Sequence, residues 1–271
     1  MQLGDIVDLD RYPVQAPDTP GYRALVAHAA AALRDTGACE LPGFLTPAGI
    51  ERATRESASL MELAYPSRSR ATVYLGGPDP ALGPDHARNI VLASSVRVIA
   101  FDDVPAQHAL HQLYLWEPLL HFLADVLGLP QLHRYADPLG ALNIAVMGDG
   151  DALGWHFDQT DFVTSRARVP AERGGDFDFH PLIRSSDDEC HDAVGAVLRG
   201  ERDDHVRLTM TPGTFLLFQG RHSLHRVTPI GGAQDRVVAL LAYDRKPGTD
   251  STAELKRARY GRESARPQPG T

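Results

Sequence analysis

The chain has 271 residues, 43% of them hydrophobic and 23% charged, with a formal net charge of −8. That length supports a sizeable core without disulfide staples, and the acidic balance excludes a general nucleic-acid binder, which needs a basic face against phosphates. The two cysteines, Cys39 and Cys190, define neither a disulfide framework nor a thiolate metal cage.

The opening, MQLGDIVDLD, has no basic segment ahead of an apolar one and does not read as a signal peptide. The longest apolar stretch, Ala24 to Leu33, is too short to span a bilayer. A cytoplasmic protein with no membrane partner is expected.

Residues 5–9 read as a short opening strand. Thr19 and Pro20 suit the N-cap and first position of an alanine-rich helix to about Arg34, which Asp35-Thr36-Gly37 breaks. CELPGFL reads as strand and turn, and Thr46 caps a second helix to about Leu63. Residues 66–90, rich in Pro, Gly, Ser and Arg, read as a long loop. From Pro105 to Leu127 apolar residues recur at helical spacing, predicting one helix ended by Gly128 and Pro130.

After Asp137 the pattern changes to short strands between turns: LNIAVM, GWHFDQTDFV, DFDFHPLI, VRLTM, GTFLLF, HRVTPI and RVVALLAY, with DDECHDAVGAVL as a helical insertion. This predicts an α+β chain: a double-stranded β-helix (jelly roll, cupin-like) core over 136–245 with an N-terminal helical region over 1–135, together one domain over 1–245. Residues 246–271 read as a polar tail whose end is disordered.

On a strand, alternate side chains share a face, so in His156-Phe157-Asp158 an imidazole and a carboxylate project together. Alone the pair also fits a hydrogen-bonded core histidine and a turn-capping aspartate. A third ligand is available from GRHSLHRVTPI, where His225 follows Asp158 by 67 residues and His222 is its rival; Asp161 competes with Asp158 but faces the other way on a strand. A 2-His-1-carboxylate face leaves open positions that iron(II) uses for a bidentate 2-oxo acid and dioxygen. Arg236 comes eleven positions after His225, at the start of the apolar run VVALLAY, where a guanidinium can hold a carboxylate by two parallel hydrogen bonds.

HxD, a distal His and an Arg about ten residues on resemble the iron(II)/2-oxoglutarate oxygenase superfamily. More narrowly, WHFDQTDF, RGGDFDFHPLIRSSDDE and GRHSLHRVTPIGGAQDR resemble the bacterial group that contains free-amino-acid hydroxylases and radical amino-acid halogenases, over roughly residues 85–245. The resemblance implies Fe(II) on His156, Asp158 and His225, 2-oxoglutarate on Arg236, and O2 as the second co-substrate. It further implies oxidation of an unactivated C–H bond in a small amino acid or derivative, by hydroxylation, desaturation or cyclisation, in specialised metabolism. In the halogenases a small residue replaces the acidic ligand to admit chloride; Asp158 stands against that branch. Arg88 is the substrate-holding arginine by the same resemblance. Trp155, beside the first ligand, is a candidate pocket wall, and Asp161 a candidate contact for a cationic part of the substrate. The loop 66–90 and the tail are the lid candidates. A non-catalytic cupin-like metal or ligand sensor is the alternative from another class. Oligomeric state is not legible.

Overall fold

The computed structural model describes residues 3–159, 162–169, 171–209 and 211–266, with 162–169 as backbone only. Helix α1 (Pro20–Thr36) starts where the Thr19 hydroxyl accepts from the Tyr22 N–H at 3.2 Å, and ends at Gly37 in the left-handed conformation. Strand β1 (Ala38–Leu41) follows. Thr46 accepts from the Gly49 N–H at 2.9 Å to start α2 (Pro47–Ala58). A hairpin of β2 (Tyr65–Ala71) and β3 (Leu92–Ile99) comes next, then α3 (Ala109–Tyr114) and α4 (Glu117–Val126). The single helix expected over 105–127 is thus two. Pro118 cannot donate to the Tyr114 carbonyl and its ring would clash there, so the chain turns and restarts with proline in the first turn of α4.

The remaining strands are β4 (His133–Arg134), β5 (Leu142–Met147), β6 (Leu153–His156), β7 (Phe162–Val169), β8 (Arg173–Gly174) and β9 (Phe177–His180). Helix α5 (His191–Leu198) is followed by β10 (Val206–Leu208), β11 (Phe215–Phe218), β12 (Leu224–Val227), β13 (Ile230–Gly231) and β14 (Arg236–Asp244), and α6 (Ala253–Tyr260) comes last. All named pairings are antiparallel, in the order β1-β11-β7-β14-β5-β3-β6-β12-β9-β10, with β2 on β3, β4 on β14 and β13-β8 as a separate pair. Side chains of β5, β14 and β11 and of β6, β9 and β12 line one cavity. The path therefore curls over until its two halves face each other, the double-stranded β-helix expected from the strand pattern.

Strict alternation decides what each face touches. Ile144 and Val146 of β5, Phe215 and Leu217 of β11, and Val237 and Ala239 of β14 join the core beneath the helices, with Leu33, Phe44 and Phe122. Their neighbours Ala145, Met147, Leu216, Phe218, Val238 and Leu240 face the cavity. This is why these strands are apolar throughout: one face packs on helices and the other walls a pocket.

Three sequence expectations are corrected. Leu3–Asp5 is a 3-10 turn, and in the expected opening strand Val7 makes an isolated bridge to Leu45. The loop 66–90 begins as β2, an edge strand on which Ser67 is buried and most other residues are exposed, so it carries no apolar pattern. With β1 and β3, it also makes the 1–135 region a contributor to the sheet rather than helical support alone. The tail carries α6, capped by Thr252 and Gly261. Its Lys256 is buried between Asp250 at 2.5 Å and Asp137 at 3.6 Å, and Arg262, just past its end, pairs with Asp102 at 2.7 Å and Asp103 at 2.9 Å. Residues 267–271, expected to be disordered, lie outside the described residues. Among the described residues no helix is long and apolar enough to cross a membrane.

Candidate active site

Strand β6 ends in His156, and its antiparallel neighbour β12 sets His225 directly opposite. Asp158 lies two residues beyond the end of β6, so strand alternation does not place it. It is placed by its own N–H, which donates to the Gly220 carbonyl at 3.0 Å. One Asp158 carboxylate oxygen then lies 3.5 Å from Nε2 of His225 and 4.0 Å from Nε2 of His156. The imidazole centroids are 4.2 Å apart, and donor atoms of all three residues fall within 4.8 Å of one another. Among the described residues this is the one cluster of three or more such side chains able to surround a metal ion.

Both imidazoles are held the same way. Nδ1 of His156 donates to the Gly154 carbonyl at 2.8 Å, and Nδ1 of His225 to the Ser223 carbonyl at 2.9 Å. In the neutral imidazole each bond takes the proton to Nδ1 and leaves the Nε2 lone pair free for a metal ion beside Asp158. Burial, reinforced by His225, pushes the His156 imidazole down to about 4, so it is neutral and able to ligate across the physiological range. Burial raises the Asp158 carboxyl, but His225 and His156 outweigh it and hold it below the usual carboxylate range. Two imidazoles and an ionised carboxylate are the donor set that a divalent first-row metal takes.

The depressed His156 value has a consequence for the metal-free protein. Between the ordinary 6.5 and about 4, the unfolded chain binds a proton that the folded chain refuses. Stability is therefore full above pH 6.5 and falls as pH drops through the folded value, by on the order of 3 kcal/mol. Urea unfolding from pH 7.5 to 4 measures this; His156→Gln flattens that part of the profile.

Gly220 is required by space rather than by its backbone angles. A Cβ there would lie 1.8 Å from one Asp158 carboxylate oxygen and 2.9 Å from the Asp158 Cβ. Gly220→Ala is expected to turn Asp158 away and weaken metal binding by roughly ten- to a hundredfold, the usual effect of losing a ligand's supporting contact. Metal titration by calorimetry checks it, with circular dichroism to show the fold retained.

The three residues open into a cavity of about 210 Å³. Arg236 lines the same cavity and is almost fully buried, 7% exposed. Burial pushes its guanidinium down to about 10, partly offset by Asp176, so it stays charged at neutral pH. Its hydrogen bond runs to the Met147 sulfur at 3.9 Å, and among the described residues no carboxylate pairs with it. A desolvated cation without an acid is costly unless an anion completes it, which matches a small dicarboxylate entering beside the triad.

The other expected site residues are not brought together there. Trp155 faces away from the cavity. Arg226 lies 4.6 Å over its ring, and His180 and His205 flank it at 5.3 and 6.3 Å. Arg88 does not line the cavity either; its guanidinium lies 4.6 Å over Tyr74, in a cluster with Arg184. Asp161 lies outside the described residues. Of the two candidate distal histidines, His225 lies in the cluster with His156 and Asp158. His191 meets the Tyr74 hydroxyl at 2.9 Å and lies edge-on to His86, with ring centroids 4.7 Å apart. Sequence reasoning missed Gly220 and the part of α6 that faces the cavity, Leu255, Arg259 and Tyr260. The start and stop signals of that helix, Thr252 and Gly261, were legible.

The family described as Halogenase D matches residues 92–260, from β3 to the end of α6 and well over half of the chain. The chain belongs to that family. Curated proteins offer no sequence match. Among solved structures, the carbocyclase SnoK from nogalamycin biosynthesis, described as non-haem and alpha-ketoglutarate dependent, aligns with a TM-score of 0.57 at 15% identity, over 92% of this chain and 96% of its own. The epimerase SnoN, in complex with Fe3+, alpha-ketoglutarate and nogalamycin RO, aligns at 0.56 with 16% identity, over 82% and 84%. An oxidoreductase of the 2OG-Fe(II) oxygenase family from Burkholderia pseudomallei aligns at 0.52 with 18% identity, over 83% and 92%. At such identities the likeness is one of fold, and the fold of this Halogenase D family member is that of the iron(II)/2-oxoglutarate oxygenases.

Proposed function

We propose that this protein is an iron(II)- and 2-oxoglutarate-dependent oxygenase acting on an unactivated C–H bond of a small amino acid or derivative, by hydroxylation, desaturation or cyclisation. One observation carries the reading: two fixed imidazoles and a carboxylate share a cavity with a buried arginine, Arg236, that forms no ion pair among the described residues. His156, Asp158 and His225 hold iron, and Arg236 clamps the far carboxylate of 2-oxoglutarate. With both bound, the site activates O2 and removes a hydrogen atom from the substrate. The chain's own part is to fix the ligands through Gly154, Ser223 and Gly220 and to surround the reacting carbon with the apolar walls of β5, β11 and β14.

The experiment is a screen of free amino acids with iron(II), ascorbate and 2-oxoglutarate, reading succinate and substrate mass together. Substrate-stimulated succinate supports the reading. A protein that binds metal but forms no succinate with any compound is instead a ligand-binding relative of the fold. Chlorination is the second reading, favoured by the family's description. Against it stands Asp158, an anionic side chain already seated against both histidines where chloride would need a vacancy.

A further inference from the structure

The cavity carries a second guanidinium that the proposed reading leaves without a task. Arg259 projects into it from α6, half-buried, and its charge is felt at both His156 and Asp158. The other arginines around this helix are committed: Arg257 pairs with Glu254 and Glu263, and Arg262 with Asp102 and Asp103. Arg259 contacts the Tyr260 hydroxyl, and among the described residues no carboxylate pairs with it.

The helix that presents it is tied to the body of the protein. Besides the buried Lys256 and the Arg262 pairs, the Ser67 hydroxyl donates to the Ala258 carbonyl at 2.9 Å, and Tyr260 is 7% exposed. A cation on a fixed helix is positioned to bind and is not swept through solvent, so little side-chain freedom is lost on capture.

The two arginines enter the cavity from different elements, Arg236 from β14 and Arg259 from α6. Arg236 is opposite Met147 in the β14-β5 register, and Asn143 is opposite Leu240, four residues further along. Four residues of strand span about 13 Å. Asn143 shares the cavity face with Ala145 and Met147, is 7% exposed, and its amide oxygen has no hydrogen-bond partner among the described residues. The stretch between is walled by Ala145, Val238 and Leu240. Besides Arg236 the cavity thus offers a second cation and a free acceptor, neither with a charged partner among the described residues, and an apolar wall, the complement of a carboxylate, an N–H donor and an aliphatic chain.

We propose that Arg259 binds the carboxylate of the primary substrate, so that the enzyme takes free amino acids as acids and rejects them as amides or esters. This rests on the oxygenase reading above and deepens it. Lys256 and Arg262 then act by holding the helix that presents Arg259.

The test compares each free L-amino acid that stimulates succinate formation with its carboxamide. It uses the iron-loaded native chain, Arg259→Gln, Arg259→Lys and the surface control Arg257→Gln. A separate readout is the Kd of the same compounds for the manganese-loaded protein with 2-oxoglutarate, by calorimetry. Acids are expected to stimulate and amides not. Arg259→Gln raises the KM and Kd of the acid by roughly ten- to a hundredfold, the loss of one charge-assisted contact. It leaves the 2-oxoglutarate requirement unchanged, while Arg259→Lys recovers part of the loss and Arg257→Gln behaves as native. An amide as good as the acid, an unchanged acid Kd in Arg259→Gln, or a loss confined to 2-oxoglutarate overturns the assignment. Absence of succinate from the native chain with every compound overturns instead the oxygenase reading beneath it.

Discussion

His225→Ala is expected to abolish 2-oxoglutarate turnover, while His222→Ala keeps most of it. His225 is 5% exposed, faces His156 across the β6-β12 pairing, and has its Nδ1 fixed by the Ser223 carbonyl. Removing it takes away one of the three proposed ligands. Loss of a supporting contact alone costs a metal site about ten- to a hundredfold, and loss of the ligand itself exceeds that. The fold persists, because what goes with the imidazole is a ring packed near Phe177 and Phe218 and not a hydrogen-bonded network of the sheet. Succinate release and metal content, measured on both variants alongside thermal melts, decide the matter. Near-native activity in His225→Ala with loss in His222→Ala would reassign the distal ligand.

Arg236→Lys is expected to raise the apparent 2-oxoglutarate requirement by roughly ten- to a hundredfold, the loss of one charge-assisted hydrogen bond of about 1.5–3 kcal/mol. Lysine keeps the charge but replaces a planar two-point clamp with a single point. At the base of an apolar cavity, where Met147 is its hydrogen-bond neighbour, nothing nearby substitutes for the lost donor. Initial rates against 2-oxoglutarate concentration check this; an unchanged requirement moves the anchor to another cation.

The triad was readable because its members lie in short local patterns: HxD in one segment, and a histidine eleven residues before an arginine in another. The β-helix was readable because strands buried on both faces are apolar throughout. What escaped the sequence depends on approach through space. Gly220 matters only because a residue 62 positions earlier leaves no room for a Cβ. Helix α6 looks solvated because its buried face includes a lysine, and the acids that neutralise Lys256 include Asp137, more than a hundred residues away. Strand β2 has no apolar rhythm because it is an edge strand with one buried serine. Trp155 neighbours a ligand in sequence, yet alternation sends it to the opposite face, onto Arg226.

In the proposed function Asp158 completes a three-residue iron site for oxygen chemistry. Its most direct test is mass spectrometry of the product formed by the native enzyme in chloride-containing buffer with 18O2. The expected product carries 18O or has lost two hydrogens, with no chlorine isotope pair, and Asp158→Gly loses most of this activity. A chlorinated product from the native enzyme would contradict it, because chloride would then occupy the position assigned here to Asp158.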